Sequence, residues 1–308
     1  MKVAVKHRII PYSLFALLCS SMLTLLMLSF ARAQQSAQQS TPQAPQARQP
    51  GAVYDFDNKD ERPRPAPLHD ISGIWEPAAG PSDGIQPFGA KAMPSDGKPE
   101  HELPYTPQGL EAFRRAKPGI GLREVPAALV NDPLDFCDPA GFPREDLFEL
   151  RTTEILQTPQ QVVILYEFDK VWRVIWTDGR ELPKDPEPRW FGYSVGKWED
   201  DYTFVVQSNG MDERTWIDNG GRPHSDELRI EERLHRRDYD HLEITVIIDD
   251  PKFYTKPWVA LDKLPMRLQS PNFDIREMIC APSETADYNK GLADPAAVTP
   301  DSTSPQSK

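Results

Sequence analysis

The chain has 308 residues, with 47 acidic side chains against 35 basic ones and a formal net charge of −12. Nucleic-acid binding needs Lys and Arg clustered against phosphate, and an acidic chain with no basic stripe excludes it.

In chain order, "MKVAVKHR", a long apolar run and "ARA" ending at Ala33 read as a secretory signal peptide over residues 1–33. The apolar run is long for a signal and, if uncleaved, would span a bilayer; membrane contact is expected only through that segment. Leu17 and Leu18 before Cys19 argue against a lipoprotein cysteine. Cleavage removes Lys2, Lys6, Arg8 and Arg32, which takes the formal charge from −12 to −16. It also implies a periplasmic or extracellular protein. Cys137 and Cys280 remain. In an oxidising compartment they are a candidate disulfide, the alternative being two separate buried thiols.

Residues 34–66 form an expected disordered tether, rich in Gln, Pro and Ala at "QQSAQQSTPQAPQARQPG". The tail over 283–308 reads the same way. Residues 67–282, about 215 in all, suit one all-β domain. "DISGIWEP" is a first strand. "TPQGLEAFRRAKPG" is one short helix, capped by Thr106, with Pro107 in its first turn and Pro118-Gly119 ending it. "NDPLDFCDPAGFPRED" is expected to be an ordered loop without regular structure.

From Glu149 the apolar residues recur with period two, in strand-length runs separated by Thr158-Pro159, Asp178-Gly179, Glu199-Asp200-Asp201 and Asp238-Tyr239-Asp240. "YTKPWVALD" and "DIREMIC" are two further candidates. Roughly eight to ten strands with short connections predict an antiparallel, up-and-down β-barrel, because closure removes sheet edges. A two-sheet β-sandwich is the alternative.

"GYSVG" (Gly192–Gly196) matches the nucleophile elbow G-x-S-x-G, with Asp218 and His224 following in hydrolase order. An elbow is a strand-to-helix turn. Here the segment sits inside one period-two run and another follows, so Ser194 is expected mid-strand and not as a nucleophile. Alternation would instead place Trp190, Gly192, Ser194, Gly196 and Trp198 on one face, a shallow dish with aromatic walls. A plainer reading is a barrel bend, or a dish filled by a large side chain from elsewhere.

Glu232 falls on an apolar stripe with Leu228, Ile230 and Leu234. A buried acid must be paired or its pKa rises; Arg173 is a candidate partner. "TDGR" is a hairpin turn whose Asp178 and Arg180 could also meet a polar head group at a barrel mouth. The polar segment Asp212–Leu228 carries Trp216 and His224 and could cover that mouth. There His224 is a candidate general base oriented by Asp218 or Asp226, or a residue that simply pins the loop. No metal is expected. The six His are scattered without ligand spacing, and "DFDNKDE" (Asp55–Glu61) lacks the glycine of a calcium loop. No cofactor fingerprint is present.

"NDPLDFCDPAGFPR", "VWRVIWTDGRELPKDPEPRWFGYSVGKWEDD", "RTWIDNGGRPHSDELRIEERLHR" and "DDPKFYTKPW" together resemble a family of secreted bacterial proteins of uncharacterised function. The likeness runs from about Asp70 to Cys280 and implies a lipocalin-like barrel. It carries no mechanism. "KWEDD" departs from the family's W-E-G-D, which implies a different turn there.

Two functional readings follow. In the first, the barrel binds a small apolar or amphipathic molecule, lined by Trp190, Trp198, Trp172, Trp176 or Trp216 and oriented by Arg173, Arg180 or Glu232. In the second, the same barrel is a hydrolase, isomerase or lyase using His224 with Glu232 or Asp178. A structural envelope role would explain the tether but not an inward acid.

Overall fold

A computed structural model describes residues 64–288, 290 and 291. The expected signal segment and all but the last three residues of the expected tether lie outside the described residues. Nine strands close into a barrel in sequence order. They are β1 (Gly73–Pro77), β2 (Thr153–Gln157), β3 (Gln161–Tyr166), β4 (Trp172–Trp176), β5 (Tyr193–Trp198), β6 (Thr203–Asn209), β7 (Arg229–Arg236), β8 (His241–Asp249) and β9 (Trp258–Leu268). β1 pairs antiparallel with β9 and completes the closure. The sandwich alternative is not what forms. All neighbours are antiparallel except β4 and β5, which run parallel through Ile175–Ser194 and Trp176–Val195.

Period two decides what faces inward. In β7 Ile230, Glu232, Leu234 and Arg236 are buried, and in β8 Leu242, Ile244, Val246 and Ile248. Residues between them meet solvent partly. "DIREMIC" is not a strand, whereas β9 runs beyond "YTKPWVALD" to Leu268.

The two ends of the barrel differ. One end carries tight turns, such as the one at Glu199–Tyr202. Where the resembled family has glycine, Asp200 Oδ1 accepts from the Tyr202 and Thr203 amides and shapes that turn. The other end carries the long connections, residues 78–152 between β1 and β2 and residues 210–228 between β6 and β7. The expected helix is α1 (Pro107–Arg115), with Thr106 Oγ1 accepting from the Gly109 amide at 3.0 Å. The Pro-rich loop folds further than its sequence implied, with a 3-10 turn over Pro133–Phe136 and a short helix α2 (Arg144–Leu147). A third helix, α3 (Pro282–Tyr288), falls where the tail is expected to begin. Cys137 and Cys280 form a disulfide that ties the loop before α2 to the segment before α3. Arg64, at the end of the expected tether, pairs with Asp240 at 2.6 Å. Among the described residues no helix is long and apolar enough to cross a membrane.

Candidate functional site

The barrel's long-loop end is filled by its own chain. Phe142 is fully buried, and the Arg173 guanidinium of β4 lies 3.8 Å from its ring centroid. All four residues of α2 are buried behind it. Arg173 pairs with Glu232 of β7, and both are almost completely buried. Burial pushes the Glu232 carboxyl up; Arg173 opposes this, and the neighbouring Asp146 adds to it. Asp146 is raised too, again first by burial, with Arg173, Tyr166 and Glu232 pulling the other way. Burial alone would lower Arg173, yet Glu232, Tyr166 and Asp146 hold it above its ordinary value. One cation facing two carboxyl groups explains why both partners of the ion pair rise. Burial and the second carboxyl group favour the neutral form of each acid, and Arg173 favours the charged form of both.

Glu145 is the exception to this pairing. It is fully buried, and neither carboxyl oxygen has a hydrogen-bond partner. Burial first, then Asp169, Asp146 and Glu149, raise its pKa well above the ordinary value, with Arg144 opposing. A folded-state pKa raised above the unfolded one gives stability that is present at acid pH and lost as pH rises. Glu145→Gln should therefore raise stability near pH 7.5 by about 1–3 kcal/mol and change it little near pH 4. Urea unfolding at the two pH values checks this.

The residues expected to act together are held apart. Ser194 lies inside β5, buried, its Oγ 2.7 Å from Ser208 Oγ. Asp218 pairs with Arg222 at 2.8 Å. His224 is buried with Nε2 2.8 Å from Thr215 Oγ1 and Nδ1 3.2 Å from the Ser225 carbonyl; burial lowers its pKa. Asp226 pairs with Lys252 at 2.7 Å. Asp178 sits on the hairpin turn, bound to Arg180 at 2.6 Å, and that contact lowers its pKa. No hydrogen bond or ion pair joins any two of His224, Glu232 and Asp178.

The expected aromatic lining also disperses. β4 turns Arg173 and Ile175 inward, so Trp172 and Trp176 point out; Trp172 is 65% exposed and Trp176 lies under Arg180 at 3.7 Å. Gly192 has φ +58° and breaks the extended backbone before β5. Trp190 thus leaves the face of Ser194 and packs under Arg214 at 4.3 Å. The dish itself is occupied: a Cβ at Gly196 would meet the Phe204 ring at 2.3 Å, and Trp198 packs on that ring at 5.3 Å between centroids. Trp216 is buried 5.3 Å from the Arg144 guanidinium, which is itself bound to Asp132.

The open space lies elsewhere at the same end. A cleft of about 450 Å³ is bounded by α1, the loop around Gly97 and the segment carrying Leu122 and Arg123. Leu103, Leu110 and Phe113 give it apolar walls. Phe113 and Tyr105 of its lining begin a chain of rings that leads away from it: Phe113 to Tyr105 at 5.0 Å, Tyr105 to Tyr254 at 5.1 Å, Tyr254 to Trp258 at 5.7 Å. Two polar atoms of lining residues are closed off from solvent, Arg123 Nη1 with no acceptor and Tyr105 Oη beside Arg222 and Tyr254. Burial raises the Tyr105 pKa, Arg222 opposing, and lowers that of Arg123, Tyr105 opposing. Hydrophobic periodicity does not mark these residues, but one local signal in the sequence does. Tyr105 and Leu110 occupy the positions before the cap and in the second turn that a hydrophobic staple uses.

Among the described residues no group of three His, Cys, Asp or Glu is placed to hold a metal ion. Comparisons with protein-family models, with curated proteins and with solved structures find no match. The barrel implied by the motif resemblance is present.

Proposed function

We propose that this is a small-molecule-binding protein whose barrel is the scaffold and whose cleft beside α1 is the binding site. The ligand is small and partly apolar, as a pocket of apolar and aromatic walls with a few placed polar groups requires. The observation that carries this reading is the cleft itself, in which the apolar walls of Leu103, Leu110 and Phe113 stand beside an Arg123 guanidinium that has no acidic partner. A cation left without a counter-charge beside apolar surface favours a ligand that brings both an acceptor and an apolar body. A wider hollow of about 780 Å³ beside the disulfide is a weaker candidate. It is lined by Asp132 and Asp135 among others, and Asp132 already holds Arg144.

The barrel interior supports neither binding nor catalysis comparably, since Phe142 and α2 fill its long-loop end and His224 is pinned away from Glu232. Secretion of the protein, proposed from residues 1–33, would give the site an extracytoplasmic ligand.

Leu110→Trp, which fills the cleft from α1, tests the site. Calorimetric titration of octanoate and of octan-1-ol should show saturable binding to the wild-type protein. The variant should bind whichever of them binds at least tenfold more weakly, about 1.4 kcal/mol, while melting within a few degrees of wild type. Equal binding by both proteins would remove the cleft from the account.

A further inference from the structure

The cleft's charges narrow what it binds. Four cationic or protonatable side chains line it: Lys98, His101, Arg123 and Arg222. Three are already matched. Arg222 holds Asp218 at 2.8 Å. Lys98 and His101 both meet Asp96, at 3.1 and 2.8 Å, and His101 foremost holds that carboxyl well below the usual range. Arg123 has no acidic partner. Its Nη2 donates to the Ala116 carbonyl at 2.7 Å, its guanidinium lies 3.9 Å from the Phe113 ring centroid, and Nη1 faces no acceptor. Glu102 is the one carboxylate lining the cleft, and it is solvent-exposed.

A guanidinium held against an aromatic ring, half withdrawn from water and lacking a counter-charge, is built for an anion. The other cations of the lining are matched, so one uncompensated positive charge remains, and it suits a singly charged anion. A planar guanidinium fits the planar carboxylate among such anions. The walls then receive an alkyl chain or an aromatic ring.

We infer that the cleft binds a monocarboxylate with an apolar body, its carboxylate on Arg123 and its chain or ring against Leu103, Leu110 and Phe113. This rests on the cleft being the binding site and adds the chemical class of its ligand.

The test is calorimetric titration of the full chain with octanoate, octan-1-ol, octylamine and octyl phosphate at neutral pH. Octanoate should bind at least about tenfold more tightly than the other three, the size expected for one charge-assisted contact. Arg123→Gln should abolish that preference, leaving octanoate and octanol equal. Arg123→Lys, which keeps the charge but loses the planar fork, should keep part of it. Octanol binding as tightly as octanoate in wild type, and lost in Leu110→Trp, would overturn the carboxylate while leaving the binding site standing. Tighter binding of octyl phosphate would replace the monoanion by a dianion. A preference for octylamine would make Glu102 the anchor. No cleft-dependent binding of any probe would overturn the site and this inference together.

Discussion

Arg173→Met should destabilise the barrel by about 3–5 kcal/mol near neutral pH, the cost of leaving a buried ion without its partner. The size follows from what remains. Glu232 and Asp146 stay beside each other in a fully buried position, with the guanidinium that faced both of them gone. Both carboxyl groups must then be neutral in the folded state. Their folded pKa values, already raised by burial, rise further, so the stability they allow is present at acid pH and is lost as pH rises. The penalty should therefore shrink toward pH 4 and grow toward pH 8. Replacing Glu232 by Leu in the same chain should recover part of the loss, since an apolar pair avoids the stranded charge. Urea unfolding of the three proteins across that pH range measures all of this. A loss below about 1 kcal/mol at neutral pH would mean that the pair is open to water.

Phe142→Ala should cost about 3–5 kcal/mol, the range for truncating a fully buried aromatic residue. Phe142 is fully buried in the core, and Arg173 of β4 rests on its ring. Truncation leaves a cavity beside that guanidinium. If the cavity stays apolar and dry, benzene should bind there and raise the variant's melting temperature while leaving wild type unmoved. A variant as stable as wild type would show that the loop before α2 does not pack inside the barrel.

Most strands were legible because one face of each is buried, and burial on one face writes period two into the sequence. Two places escaped for physical reasons. β9 continues through Pro265, a residue that removes a ladder donor and normally argues against a strand. β9 also carries register shifts against β8 near Val246, which break the alternation. "DIREMIC" has apolar residues at suitable spacing but no strand beside it to pair with. The parallel β4–β5 contact was invisible because residues 177–192 return to the long-loop end before β5 begins, and no local signal marks such a crossing.

Less of the site could be read. The sequence marks Glu232 as an inward acid by alternation and offers Arg173 as one candidate partner, and only the closed barrel brings the two together. It does not reveal that the loop carrying Phe142 and Asp146 enters the barrel, because a Pro-rich stretch has no period to follow. The tryptophans misdirect for a related reason. Trp172 and Trp176 are strand residues of the right chemistry, and a face assignment depends on which of two alternating sets is buried. Arg173 and Ile175 take the inner face. Arg123 and Tyr105 gain meaning only when α1 folds back beside Tyr254, a contact made by distant segments.

If the ligand site is the cleft beside α1 and not the barrel interior, a bound ligand lies there. Diffraction from crystals grown with 4-bromobenzoate tests it most directly, since anomalous scattering locates the bromine without reference to the rest of the map. One strong bromine peak is expected against Leu103, Leu110 and Phe113, with the carboxylate toward Arg123. A peak inside the barrel beside Arg173 and Glu232, or none at either place, would contradict this placement.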